Sequence, residues 1–97
     1  MASGVIMEFD GWTPENYDAV SEEINWPDSW PEGLRFHVAG PSEQGMRLVE
    51  IWDSHEQRQR WMEGTINPAL EKVVGDVIAR TPPPRFTEFD VHAQYTR

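Results

Sequence analysis

Apolar and polar positions alternate with a period of two in four stretches of this chain, and helical spacing fills the gaps between them. The densest pattern runs from Leu34 to Ser54. Leu34, Phe36 and Val38 share one side of a predicted strand there, with Arg35, His37 and Ala39 on the other. Val49 and Ile51 likewise oppose Leu48, Glu50 and Trp52. Gly40-Pro41-Ser42-Glu43-Gln44-Gly45 between them has turn chemistry, which predicts an antiparallel hairpin. Val5 to Asp10 reads as the first strand, with Val5, Met7 and Phe9 facing away from Ile6, Glu8 and Asp10. Arg85 to Ala93 reads as the last, with Phe89 and Val91 opposite Phe86, Glu88, Asp90 and His92.

The helices announce their own starts. Thr13 is a fitting N-cap, Pro14 suits the first helical position, and Glu15 adds favourable charge to the first turn. Trp12 and Tyr17 stand at the positions of a hydrophobic staple, and Tyr17, Val20 and Ile24 make a narrow apolar stripe ending near Asn25. Ser54 and Gln57 predict a capping box for a second helix through Trp61 and Met62, with Gly64 as its stop. Asn67 then caps a third, whose Leu70, Val73, Val74, Val77 and Ile78 keep helical spacing. Thr81-Pro82-Pro83-Pro84 is an extended connector, because each proline disfavours the helical region in the residue before it. The loop Asn25 to Gly33 holds two prolines and two tryptophans, so it is irregular yet expected to pack on something.

The order β-α-β-β-α(α)-β predicts an α+β domain over residues 1–97: a split βαβ, ferredoxin-like, four-stranded antiparallel sheet with helices on one face. Assigning the purely apolar side of each strand to the helices gives a core of Val5, Met7, Phe9, Leu34, Phe36, Val38, Val49, Ile51, Phe89 and Val91. The other face then carries Ile6, Glu8, Arg35, His37, Leu48, Glu50, Trp52, Phe86, Glu88, Asp90 and His92. Apolar groups this large among charges mark an interface or a pocket. A second copy packed sheet to sheet would cover them and enclose a cavity.

Composition narrows the partners. A formal charge of −9 opposes both nucleic acid and anionic membranes. With no cysteine there is no disulfide framework, thiolate zinc site or cysteine nucleophile, which is compatible with a reducing cytoplasm. No signal peptide or run long enough to span a membrane is visible. Five Trp and four Phe in 97 residues argue against disorder.

Three segments carry a family likeness: Phe36 to Pro41, Arg47 to Ser54, and Ile66-Asn67-Pro68-Ala69-Leu70. They resemble the small dimeric α/β-barrel proteins, and within them an uncharacterised branch related to the antibiotic-biosynthesis monooxygenases. The resemblance runs from Val5 to His92 and implies a homodimer with a ligand-sized cavity on the open sheet face. The wider superfamily includes cofactor-independent oxygenases of aromatic polyketides, cyclases and haem-degrading enzymes. The haem-degrading relatives place an Asn on the first strand, and VIMEFD has none.

On that cavity face, a histidine beside a carboxylate can act as a general base near neutral pH. His37, His92 and Glu50 are therefore the catalytic candidates. Arg35, Trp52, Glu8, Phe86, Glu88 and Asp90 are the substrate-binding candidates, with Arg35 also a natural ion-pair partner for Glu8 or Glu50. No short ligand spacing supports a metal at His37 and His92, and no phosphate loop, nucleophile elbow or zinc-protease motif is present. The reading is a small-molecule enzyme without a tightly bound cofactor, acting on an aromatic or lipophilic substrate as an oxygenase or cyclase. The alternative is a non-catalytic ligand-binding or interaction protein using the same cavity.

Overall fold

The computed structural model describes residues 1–97. Strand β1 (Ser3–Asp10) leads into helix α1 (Pro14–Glu23); β2 (Leu34–Pro41) and β3 (Gly45–Trp52) form the hairpin. Helix α2 (His55–Trp61) passes through a π-helical turn, Met62–Ile66, into α3 (Asn67–Arg80), and β4 (Arg85–Asp90) closes the order. The strands lie in the order β2-β3-β1-β4, all antiparallel, with β1 and β3 in the centre. This is the ferredoxin-like arrangement predicted from the element order.

Local chemistry explains the boundaries. Thr13 Oγ1 accepts from the Asn16 N–H (3.2 Å) and Asn16 Oδ1 from the Thr13 N–H (2.9 Å), which closes a reciprocal cap on α1. That helix ends at Glu23, and Asn25 takes a φ of 58°, a left-handed conformation asparagine tolerates. At α2 only half of the predicted box forms. Ser54 Oγ accepts from the Gln57 N–H (3.2 Å), but the Gln57 side chain takes the Ser54 hydroxyl rather than the Ser54 N–H.

Gly64 does not stop the helix, and Asn67 is helical rather than a cap. Pro68 lacks an N–H for the Gly64 carbonyl, and its ring would collide with that carbonyl in a regular α-turn. A wider turn, in which the Asn67 N–H bonds to Met62 O, lets the chain continue instead.

The faces of the sheet depart from the sequence reading. Directly paired residues share a face, so the register puts Val5, Met7 and Phe9 of β1 beside Glu50, Leu48 and Met46 of β3, and beside His37 and Ala39 of β2. That is the helix side, as expected for β1 and for Leu34 but not for the rest of the assigned core. Phe36 and Val38 are instead 40% and 48% exposed on the far side, together with Ile6, Val49, Ile51 and Phe89.

Two physical effects reverse the assignment. On β3, Met46, Leu48 and Trp52 offer roughly twice the apolar area of Val49 and Ile51, and the larger set is buried. On β2, a register shift between Leu34 and Phe36 leaves Arg35 as an extra residue. The bulge puts Leu34, which is buried against Trp52, on the same side as His37. Helix-side packing then joins Val5, Met7, Phe9 and Met46 of the sheet to Trp12, Val20, Ala69, Val74 and Val77.

Candidate active site

The helices leave a cavity of about 80 Å³ against the helix side of the sheet, inside one chain. Met7 and Leu48 form its floor, and Trp61, Met62, Ile66 and Leu70 its far wall. Three of those four come from the end of α2 and the π-helical turn, so the departure from regular helix shapes the wall. A water needs roughly 10–15 Å³ of such space, so the cavity takes about one aromatic ring, and because it opens to solvent a larger ligand can extend through its mouth.

One end of this apolar space is polar. His37 Nδ1 lies 2.6 Å from Glu50 Oε2, and the Trp52 indole N–H donates to Glu50 Oε1 at 3.0 Å. A carboxylate only accepts, so Nδ1 carries the proton and Nε2 of the neutral ring is the acceptor. The Tyr17 hydroxyl donates to that Nε2 at 2.7 Å. Four side chains from α1, β2 and β3 thus form one hydrogen-bonded chain: Tyr17, His37, Glu50, Trp52. Glu50 is 4% exposed, and both of its oxygens have partners, as a buried carboxylate requires. Trp26 covers the imidazole with ring centroids 4.7 Å apart and stacks on Trp30 at 5.2 Å. The Trp-rich loop is therefore a wall of the cavity.

Burial pushes the Tyr17 hydroxyl above the usual phenol value, and the negative charges of Glu50 and Asp18 push the same way. The nearby Ser21 hydroxyl, which donates to the Tyr17 carbonyl at 3.0 Å, and the Trp26 indole oppose the shift. Tyr17 is consequently a neutral phenol at ordinary pH and a donor to His37.

The structure brings together only three of the nine candidate site residues read from the sequence: His37, Glu50 and Trp52. Trp52 is fully buried behind Glu50, not a wall of the cavity. His92 is exposed beyond the end of β4, outside the cavity. Arg35 pairs with Asp53 at the surface rather than with Glu8 or Glu50. Glu8 is on the open face, where Arg47 Nε reaches it at 3.0 Å and Arg85 Nη1 at 3.2 Å. Phe86, Glu88 and Asp90 lie on the exposed edge strand β4, with Glu88 held by Arg58 of α2 and 3.4 Å from His55 Nδ1. By register Phe86, Glu88 and Asp90 do share the side of His37, Glu50 and Trp52, but at its exposed edge, whereas Glu8 lies on the opposite side. No group of three or more His, Asp or Glu side chains is placed to hold a metal ion.

Tyr17 is the residue the sequence reading missed. Its position in the staple and apolar stripe argued for packing alone. The only signal was a hydroxyl on the stripe of a helix that must cross a strand bearing His37.

No protein-family model and no curated protein matches the sequence. Solved structures do match. A Chloroflexus aurantiacus J-10-fl protein assigned as an antibiotic biosynthesis monooxygenase aligns with TM-score 0.67 and 16% identity, covering 99% of this chain and 98% of that one. SnoaB, a cofactor-independent oxygenase from Streptomyces nogalater, aligns with TM-score 0.62 and 10% identity over 99% and 97%. The chain has their fold. A dimeric ferredoxin-like protein from an uncultured marine organism shares it too, with TM-score 0.58 and 15% identity over 99% and 91%. The resemblance read from the hairpin and from Ile66 to Leu70 therefore agrees with the architecture, and at these identities the likeness is one of fold.

Proposed function

We propose that the protein is a small-molecule enzyme that holds an aromatic or lipophilic substrate in the sheet–helix cavity and moves a proton there. One observation carries the reading: an apolar cavity of about one ring's size ends on a buried His37–Glu50 pair. Imidazole backed by carboxylate is the arrangement that takes a proton and stabilises the imidazolium formed. Glu50 is the orienting carboxylate, and Trp52 fixes its second oxygen. The anion left on a phenol or activated carbon acid can react with dioxygen directly or close a ring, and this proton transfer itself calls on no cofactor. The fold shared with SnoaB, described as a cofactor-independent oxygenase, supports the oxygenase form as an analogy of fold. His92, Arg35, Glu8, Phe86, Glu88 and Asp90 have no part in it.

The open face completes the proposal. Ile6, Phe36, Val38, Val49, Ile51 and Phe89 form an apolar surface that a second copy covers sheet to sheet, giving an α/β barrel. A dimeric structure with this fold supports that pairing. The ligand cavity then lies within each chain rather than between the two.

A second reading, a non-catalytic ligand binder, is favoured by both imidazole nitrogens being occupied within the chain. A panel of one-ring phenols under oxygen separates the two, with oxygen uptake and product formation followed for the wild type and His37→Ala. Turnover lost in His37→Ala while phenol affinity persists supports the enzyme. Saturable binding with no turnover in either protein leaves the binder.

A further inference from the structure

His37 has no ring nitrogen to offer a molecule in the cavity. Nδ1 is held by Glu50 at 2.6 Å and Nε2 by Tyr17 at 2.7 Å. The Tyr17 hydroxyl therefore covers Nε2, and Tyr17, Ser21 and His37 all line the cavity. Tyr17 is also fixed in place. It sits in α1, packs against the hydrophobic core, and stacks on the His37 ring with centroids 6.0 Å apart and planes at 28°.

We propose that Tyr17 is a catalytic residue, the ligand-facing acid–base group of a Tyr17–His37–Glu50 relay. This rests on the acid–base reading of the cavity given above. In the forward step the ligand's X–H bond breaks and its proton joins Tyr17 Oη, while the proton already on Tyr17 passes to His37 Nε2. The electron pair of the broken bond stays on X. His37 becomes an imidazolium and is held by the Glu50 carboxylate, so charge separates without any oxidant or reductant. The reverse step returns a proton to an anion on the ligand.

The rival arrangement uses the same atoms differently: Tyr17 is a plug that the ligand displaces, leaving His37 Nε2 to act directly. Removing the hydroxyl separates the two, because it breaks a relay but unblocks a plugged base. The probe is 5-nitrobenzisoxazole, an uncharged aromatic. A base removes its C3 proton as the ring N–O bond breaks, releasing coloured 2-cyano-4-nitrophenolate. Rates are compared for the wild type, Tyr17→Phe and His37→Ala, each shown to be folded by circular dichroism.

The relay predicts that both variants lose about a hundredfold or more in kcat/KM, the lower part of what a positioned acid–base group contributes. Tyr17→Phe equal to or faster than the wild type, with His37→Ala slow, overturns the relay and leaves the acid–base cavity standing. Loss in Tyr17→Phe but not in His37→Ala also overturns it, since the proton would not pass through the imidazole. A wild-type rate no better than buffer overturns the acid–base reading and the relay with it. Should Tyr17→Phe fail to fold, 3-fluorotyrosine incorporation in a Tyr95→Phe background lowers the Tyr17 phenol pKa with little change of shape. The relay then requires the pH–rate profile to move to lower pH, and an unmoved profile overturns it.

Discussion

His37 of β2 and Glu50 of β3 are a directly opposed pair in the hairpin, and their side chains meet at 2.6 Å between Nδ1 and Oε2. Register creates this contact: each is odd among apolar neighbours on its strand, and the pairing brings the two exceptions together. Trp52, two residues further along β3, reaches back to the second carboxylate oxygen. A polar pair at a strand centre is thus fully satisfied on a side of the sheet that is otherwise apolar.

Glu50→Gln and Glu50→Ala separate the chemical role of this carboxylate from its structural one. Glutamine keeps the shape and one acceptor but cannot balance an imidazolium. It should lower the 5-nitrobenzisoxazole rate by about tenfold or more, with less than about 2 kcal/mol lost in urea unfolding. Alanine strands the Trp52 indole N–H and opens space beneath His37. Its unfolding free energy should fall by about 2–4 kcal/mol.

The raised Tyr17 pKa makes an alkaline prediction. Folding favours the neutral phenol, so the stabilisation is present in full below the ordinary value of 10.0 and is lost as pH rises through the raised folded value. Unfolding free energies measured between about pH 9 and 12 should fall more steeply for the wild type than for Tyr17→Phe. Parallel curves would mean that the Tyr17 phenol is not held neutral by its surroundings.

How much of this was legible in the sequence depends on what each residue type reports. Thr13-Pro14 and the Gly/Pro-rich turn at residues 40–45 have one strong local meaning, and the elements they bound appear where expected. Element order then sufficed for the sheet. The facing of β3 is not legible, because both of its sides carry large apolar groups and alternation alone cannot rank them, and on β2 the clean alternation of Leu34, Phe36 and Val38 points the last two the wrong way. The bulge at Arg35 made matters worse, since one extra residue reverses every assignment on one side of it. His37, Glu50 and Trp52 were singled out because polar and indole groups share their faces. Tyr17 joins them only through the packing of α1 across β2, a long-range fact with no local mark.

The apolar open face makes a prediction about assembly. Phe36 and Val38 lie on its β2 side, and Phe36→Asp places a charge in the surface that the second copy would cover. Sedimentation velocity at micromolar concentration should show a dimer for the wild type and a monomer for Phe36→Asp, with unchanged circular dichroism. A monomeric wild type contradicts the sheet-to-sheet pairing.

The central claim is that ligand enters between sheet and helices, not on the open face. Titrating 4-nitrophenol into ¹⁵N-labelled protein and mapping the amide shifts tests it most directly. The account predicts saturable shifts at Tyr17, His37, Glu50, Trp61 and Met62. Shifts confined to Phe36, Val38, Val49 and Ile51, with the cavity residues unmoved, would contradict it.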